Sequence, residues 1–307
     1  MWPVLLSARW VHFAALFVLF GAPLFLLYGL PHGAEGDRAV ARRWVRRAAA
    51  IAAPLALLSA LAWAGWSLAD ITGDPLGFMD AQVISVILLE TGFGRAWLLR
   101  LVLLAVLILA VWRAGKSEAA TAPVAVLAGL LLVTQAWLGH AAAGSGFSRI
   151  GLPLAYGLHL LGAAAWIGGL VPLAALLLHW RRITLQGAAP QEAARRAAPV
   201  LWRFSRMGIG AVALTGLGGA ANAALHLSTP GELISTAYGQ IILAKGLLFA
   251  LLLLLATRNR SLSARLVRAR DPAGDLGRVC VNIFAELGLA LGVLALAAVL
   301  GVTPPGP

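Results

Sequence analysis

The chain has 307 residues, 61% of them hydrophobic and only 12% charged, with a mean hydropathy of +0.87. Soluble domains carry about 25% charged residues, so the composition excludes a water-soluble globular protein and places the chain in a bilayer. The net charge of +12 sits in short segments between apolar runs, where it reads as a topology signal rather than a nucleic-acid surface.

A helix needs about 20 mostly apolar residues to cross a membrane. That rule predicts eight spans, roughly 4–30, 46–69, 95–114, 121–142, 152–180, 199–227, 238–257 and 279–302. The fold class is therefore an all-α polytopic helix bundle. It is a single domain over residues 1–307, because the longest gap, 70–94, is too short to bury its own core. The first span lacks a basic leader and reads as a retained helix. Nineteen of the 24 Lys and Arg residues fall at one end of the bundle, all except Arg9, Arg95, Arg100, Arg149 and Lys245. The positive-inside rule puts that end in the cytoplasm and both termini outside.

In the first span Arg9 precedes His12 by one helical turn, so the two share a face. Pro23, Pro54 and Pro172 lie inside spans and each removes a backbone donor. The outer segment 70–94 carries Asp70, Asp74, Asp80 and Glu90, either to gather cations or as an ordinary solvated loop. Arg95 and Arg100 begin the third span, with Arg100 expected to pair with Glu90 or another acid of that loop. His140 closes the fourth span. His159 lies two turns into the fifth, and Trp166 follows it by seven residues on the same face. The sixth span ends in Asn222 and His226, again one turn apart. Lys245 in the seventh is expected to snorkel outward. Glu286 lies about two turns into the eighth from the cytoplasm, with Cys280 nearby, and an acid at that depth is a candidate for a pathway.

A histidine in hydrocarbon is costly unless it faces protein, water or a ligand. His12, His140, His159 and His226 come from four different spans at similar outer depth, and neutral imidazole suits copper, zinc, iron and nickel. A metal site of these four is one reading; satisfied helix-end residues is the other. Arg9, Trp166 and Asn222 are the companions of such a site. Glu90, Arg95, Arg100, Lys245 and Glu286 are candidate charge pairs or path residues. His32 and His179 read as interfacial. The lone cysteine, Cys280, excludes an intramolecular disulfide and any CxxC motif.

The stretches "HLLGAAAWIGGLVPL" (159–173), "TGFGRAWLLR" (91–100), "GHAAA" (139–143), "RFSRMGIGAVALTGLGGAANAALHL" (203–227), "AYGQIILAKGLLFALLLLLATRNR" (237–260) and the opening "ARWVHFAALFVLFGAPLF" (8–25) resemble the copper resistance protein D family of bacterial inner-membrane proteins. The resemblance covers nearly the whole chain in order. It implies a multi-pass inner-membrane protein that handles copper, working beside a separate periplasmic copper-binding protein of the C type. It carries the family's histidines onto His12, His140, His159 and His226, and its other patterned polar residues onto Asn222 and Lys245.

Three functions follow. The first is a transporter that receives copper at the outer histidines and moves it across the membrane, with import favoured. The second is a redox protein that uses the same histidines as axial ligands of haem b, with Arg9, Arg95 and Arg100 around the propionates. No CxxCH is present, so such haem would be non-covalent. The third is a docking scaffold for a periplasmic copper chaperone. No GxxxxGK[ST] occurs, which excludes direct ATP drive by this chain.

Overall fold

Each predicted span is a helix, and most overrun the apolar stretch that announces them. The computed structural model describes residues 2–74, 76, 79–115, 121–138, 148–227 and 229–304. In order the helices are α1 (Trp2–Tyr28), α2 (Glu35–Thr72), α3 (Ala81–Glu90), α4 (Gly92–Ala114), α5 (Thr121–Thr134), α6 (Ser148–Leu185), α7 (Pro190–His226), α8 (Glu232–Ser235), α9 (Ala237–Arg265) and α10 (Pro272–Leu300). A 3-10 turn, Gln135–Leu138, extends α5. Eight of these helices are long and apolar enough to cross a bilayer, and no strand occurs among the described residues.

The overrun has a simple origin. Hydropathy detects only the part of a helix that lies in hydrocarbon, whereas Arg, Ala and Glu keep the backbone helical through the headgroup region. So α2 begins at Glu35 rather than near 46, and α7 at Pro190 rather than near 199. The extensions are held together. Asp37 on α2 is buried and accepts from Trp180 Nε1 of α6 at 2.9 Å and from Arg196 Nε of α7 at 3.2 Å. Arg38 and Arg203 donate to the Leu26 and Tyr28 carbonyls at the end of α1, at 3.2 and 2.8 Å. Part of the arginine cluster thus satisfies helix-end carbonyls.

The segment 70–94, expected to be a loop, contains α3. Its run of Ile, Val and Leu is too short to cross, and it packs along the start of α4.

The fold is organised around α1 and α6, where 61% and 83% of the most apolar stretch is buried, against 11% for α9. Their crossing is set by Gly21 and Gly168: a Cβ on either would fall inside the other helix's backbone. Such small-residue contacts replace the hydrophobic effect where the surroundings are themselves apolar. One core surrounds Phe25, Leu170, Trp180 and Leu276; the other surrounds Leu16, Trp63, Trp97 and Leu131. Outside, Leu58, Val102, Leu217 and Leu254 are at least 60% exposed. That apolar face would be a liability in water and is the natural contact with lipid. Arg9's guanidinium lies against Gly301, so both ends of the bundle's chain meet at the end opposite the arginine cluster.

The two halves repeat. Thr91 and Thr236 each cap a helix, accepting from Gly94 N at 2.9 Å and Gly239 N at 3.0 Å. Each threonine also donates to the carbonyl four residues back, Ile87 at 2.6 Å and Glu232 at 2.7 Å. Arg100 and Lys245 stand at the same distance beyond these caps, and Gly21 and Gly168 at the same distance beyond His12 and His159. The bundle is thus a tandem of α1–α5 and α6–α10, parallel and joined at the glycine crossing. Internal repeats of this kind are common among membrane transporters.

Candidate metal-binding chamber

A cavity of about 380 Å³ lies among α1, α6, α7, α9, α10 and the 3-10 turn Gln135–Leu138, in the part of the bundle away from the arginine cluster. His159 enters it from α6. Its Nδ1 lies 2.7 Å from the Thr215 carbonyl of α7, and its ring stacks on Tyr156 at 6.5 Å. The close approach depends on glycine: a Cβ on Gly218 would sit 2.8 Å from His159 Cβ, and one on Gly219 would sit 3.2 Å from its Cε1.

His226, the last residue of α7, turns back so that its Nδ1 meets the Asn222 carbonyl at 2.8 Å, with Tyr238 beside it at 6.1 Å. A carbonyl only accepts, so in both histidines Nδ1 carries the proton and Nε2 keeps its lone pair. The two carbonyls that hold the rings, Thr215 and Asn222, are seven residues apart on α7, about two turns or ~10 Å along its axis. Asn222 donates to the Gly218 carbonyl at 2.7 Å and also lines the cavity.

His12 is placed differently. It is fully buried, its Nδ1 is 3.0 Å from the Ala56 carbonyl, and its Nε2 is 2.7 Å from Arg100 Nη2. By the same argument Nδ1 donates and Nε2 accepts from the guanidinium, so both ring nitrogens are engaged. His12 does not line the cavity. Arg100 donates in addition to the Leu131 carbonyl and to Thr134 Oγ1, at 2.7 and 2.8 Å. It therefore points into the first half, not toward Glu90, which is exposed like Arg95; polar groups within reach inside the bundle outcompete a solvated carboxylate. His140 lies outside the described residues, in a segment that follows Leu138 at the cavity wall. Among the described residues no group of three or more His, Cys, Asp and Glu side chains is assembled for a metal.

Arg9 and Lys245 also line the cavity. Lys245 faces this interior space rather than snorkelling to the surface. Trp166 forms the floor, edge-on to Phe249 at 6.2 Å. It is shared with a second cavity of about 210 Å³ that runs on toward the arginine-rich end. There Glu286, 1% exposed, accepts from Asn259 Nδ2 at 2.6 Å, and Asn259 Oδ1 accepts from Asn282 at 2.9 Å. Sequence reasoning passed over Gln135, Tyr156, Thr215, Tyr238, Asn259 and Asn282. A polar side chain inside an apolar span was the available signal for Gln135 and Thr215. Asn259, between Arg258 and Arg260, lies beyond the apolar stretch 238–257 and so carries no such signal.

The chain matches the family described as "Copper resistance protein D-like, N-terminal domain" over residues 1–152, and "Copper resistance protein D" over residues 198–300. It is 30% identical over 321 aligned residues to copper resistance protein D of Pseudomonas syringae pv. tomato, covering 99% of this chain and 97% of that protein. It is 28% identical to inner membrane protein YebZ of Escherichia coli (strain K12), covering 83% and 82%. It is 30% identical to copper transport protein CutJ of Bacillus subtilis (strain 168) over 72% of this chain, which corresponds to 38% of that longer protein. No solved structure matches it.

Proposed function

Because the chain belongs to the copper resistance protein D family, we propose that it moves copper across the inner membrane, into the cytoplasm, through the chamber of His159 and His226. It is a multi-pass inner-membrane protein of a copper resistance and transport family. With the arginine-rich end in the cytoplasm, the chamber opens toward the periplasm, where a separate copper-binding protein of the C type delivers the metal.

The reading rests on one observation. Each histidine donates through Nδ1 to a helix carbonyl, Thr215 at 2.7 Å and Asn222 at 2.8 Å. A second partner of this kind fixes the ring and leaves Nε2 as the ligating atom. Neutral imidazole is a good donor to copper, and His140 is the candidate third ligand. His12, held by Arg100, serves the fold. Trp166 and Phe249 separate the outer chamber from the inner cavity, where Glu286 is the one carboxylate among the described residues lining either space. It offers negative charge to a cation that has left the histidines.

The test is copper uptake into proteoliposomes loaded with a copper indicator. Uptake by the wild type, lost in His159→Ala and in His226→Ala, supports the proposal. Equal uptake by all three would contradict it. A Soret band in the purified protein that depends on His159 would replace it with the haem reading.

A further inference from the structure

The outer chamber has the wrong charge for a bare cation. Arg9 and Lys245 both line it, and none of the described residues around it is an aspartate or glutamate. The segment 139–147, which follows the chamber wall at Leu138, contains no acid either. Building on the copper reading, we infer that the chamber takes its metal together with a small carboxylate anion, held by Arg9 and Lys245 beside the histidines.

The geometry around Arg9 supports this. The residue is 8% exposed, and its guanidinium fits where Gly301 has no side chain. It lies over the Trp63 ring at 4.4 Å, a contact that offsets only part of the cost of burying a cation. Its Nε is buried with no hydrogen-bond partner. Neither Arg9 nor Lys245 forms an ion pair among the described residues. Arg100, the counterpart of Lys245 in the first half, also has an unpartnered Nε, but three neutral acceptors hold its Nη1 and Nη2. Gln135, 4% exposed, adds a second unpartnered polar group on the same wall, Oε1; its amide presents either an acceptor or, turned over, a donor. A buried cation without a partner is expensive in lipid. An incoming carboxylate would supply the missing charge and accept from Arg9. Its second oxygen would remain for the copper, so the pair enters with less net charge than the ion alone.

The experiment measures copper affinity of the detergent-purified protein at fixed free copper, in methanesulfonate buffer and with added acetate, alongside retention of ¹³C-acetate without copper. The wild type should bind copper about tenfold more tightly with acetate present, the size expected for one compensating charge at this depth. Arg9→Gln and Lys245→Met should lose that dependence, fail to retain acetate, and bind copper in methanesulfonate at least as tightly as the wild type. His159→Ala should lose copper yet still retain acetate, which separates this inference from the histidine assignment. Copper affinity indifferent to acetate, or dependence that survives in both variants, would overturn it. So would loss of acetate retention in phosphatidylglycerol nanodiscs, which would assign the counter-charge to lipid phosphate.

Discussion

His12 and Arg100 meet at 2.7 Å inside the first half of the bundle, both fully buried, with the imidazole as acceptor and the guanidinium as donor. Their repeat counterparts, His159 and Lys245, face an open chamber instead. A histidine and a basic residue at matching positions therefore make a closed structural contact in one half and a ligand-accessible wall in the other. His12→Ala should accordingly cost about 2–3 kcal/mol, the range for losing a buried hydrogen bond to a charged group, and should leave copper stoichiometry unchanged. Thermal unfolding and metal analysis on the same preparation check both halves of that statement.

The crossing of α1 and α6 has no room for a side chain at Gly21 or Gly168. Gly168→Ala should destabilise by about 2–3 kcal/mol, as overpacking does, and should lower the amount of folded protein recovered from membranes. Gly208→Ala, at a position with nothing within 4 Å of the added methyl, is the control and should be recovered at wild-type level.

Trp166 closes the floor of the chamber against Phe249. Replacing it with alanine removes the partition between the two cavities while leaving His159 and His226 in place. Copper binding should persist and uptake into proteoliposomes should become faster, the opposite sign from His159→Ala. Slower uptake with normal binding would instead give Trp166 a guiding role.

Glu286 and Asn259 form a 2.6 Å hydrogen bond that Asn282 extends. In Glu286→Gln the side-chain oxygen can still accept from Asn259, so stability should change little while uptake falls. In Glu286→Leu the amide of Asn259 loses its acceptor, and about 1–3 kcal/mol of stability should go with it. A Gln variant with full transport would remove the carboxylate from the path.

Depth in the membrane was legible in the sequence and direction around each helix was not. Hydrocarbon thickness forces about 20 apolar residues per span, and all eight spans are visible on that basis. The matching depth of His12 and His159 in their spans follows from the same counting. In lipid, however, both faces of a helix are apolar, so the pattern does not say which neighbour a polar residue meets. His12 and His159 have the same depth and opposite surroundings for that reason. Arg9, Trp166, Asn222, His159, His226 and Lys245, by contrast, all line one chamber. The repeat was present in "TGFGRAWLLR" and "TAYGQIILAK", where Thr, Gly and a basic residue recur at one spacing. Its meaning emerges only when the caps of α4 and α9 are compared.

The most direct test is copper per chain in protein purified in detergent, loaded with copper and freed of excess, for the wild type, His159→Ala, His226→Ala and His12→Ala. The account predicts about one bound copper in the wild type and in His12→Ala, and a loss in both chamber variants. Full copper in His159→Ala, or loss in His12→Ala with the fold intact, would contradict it.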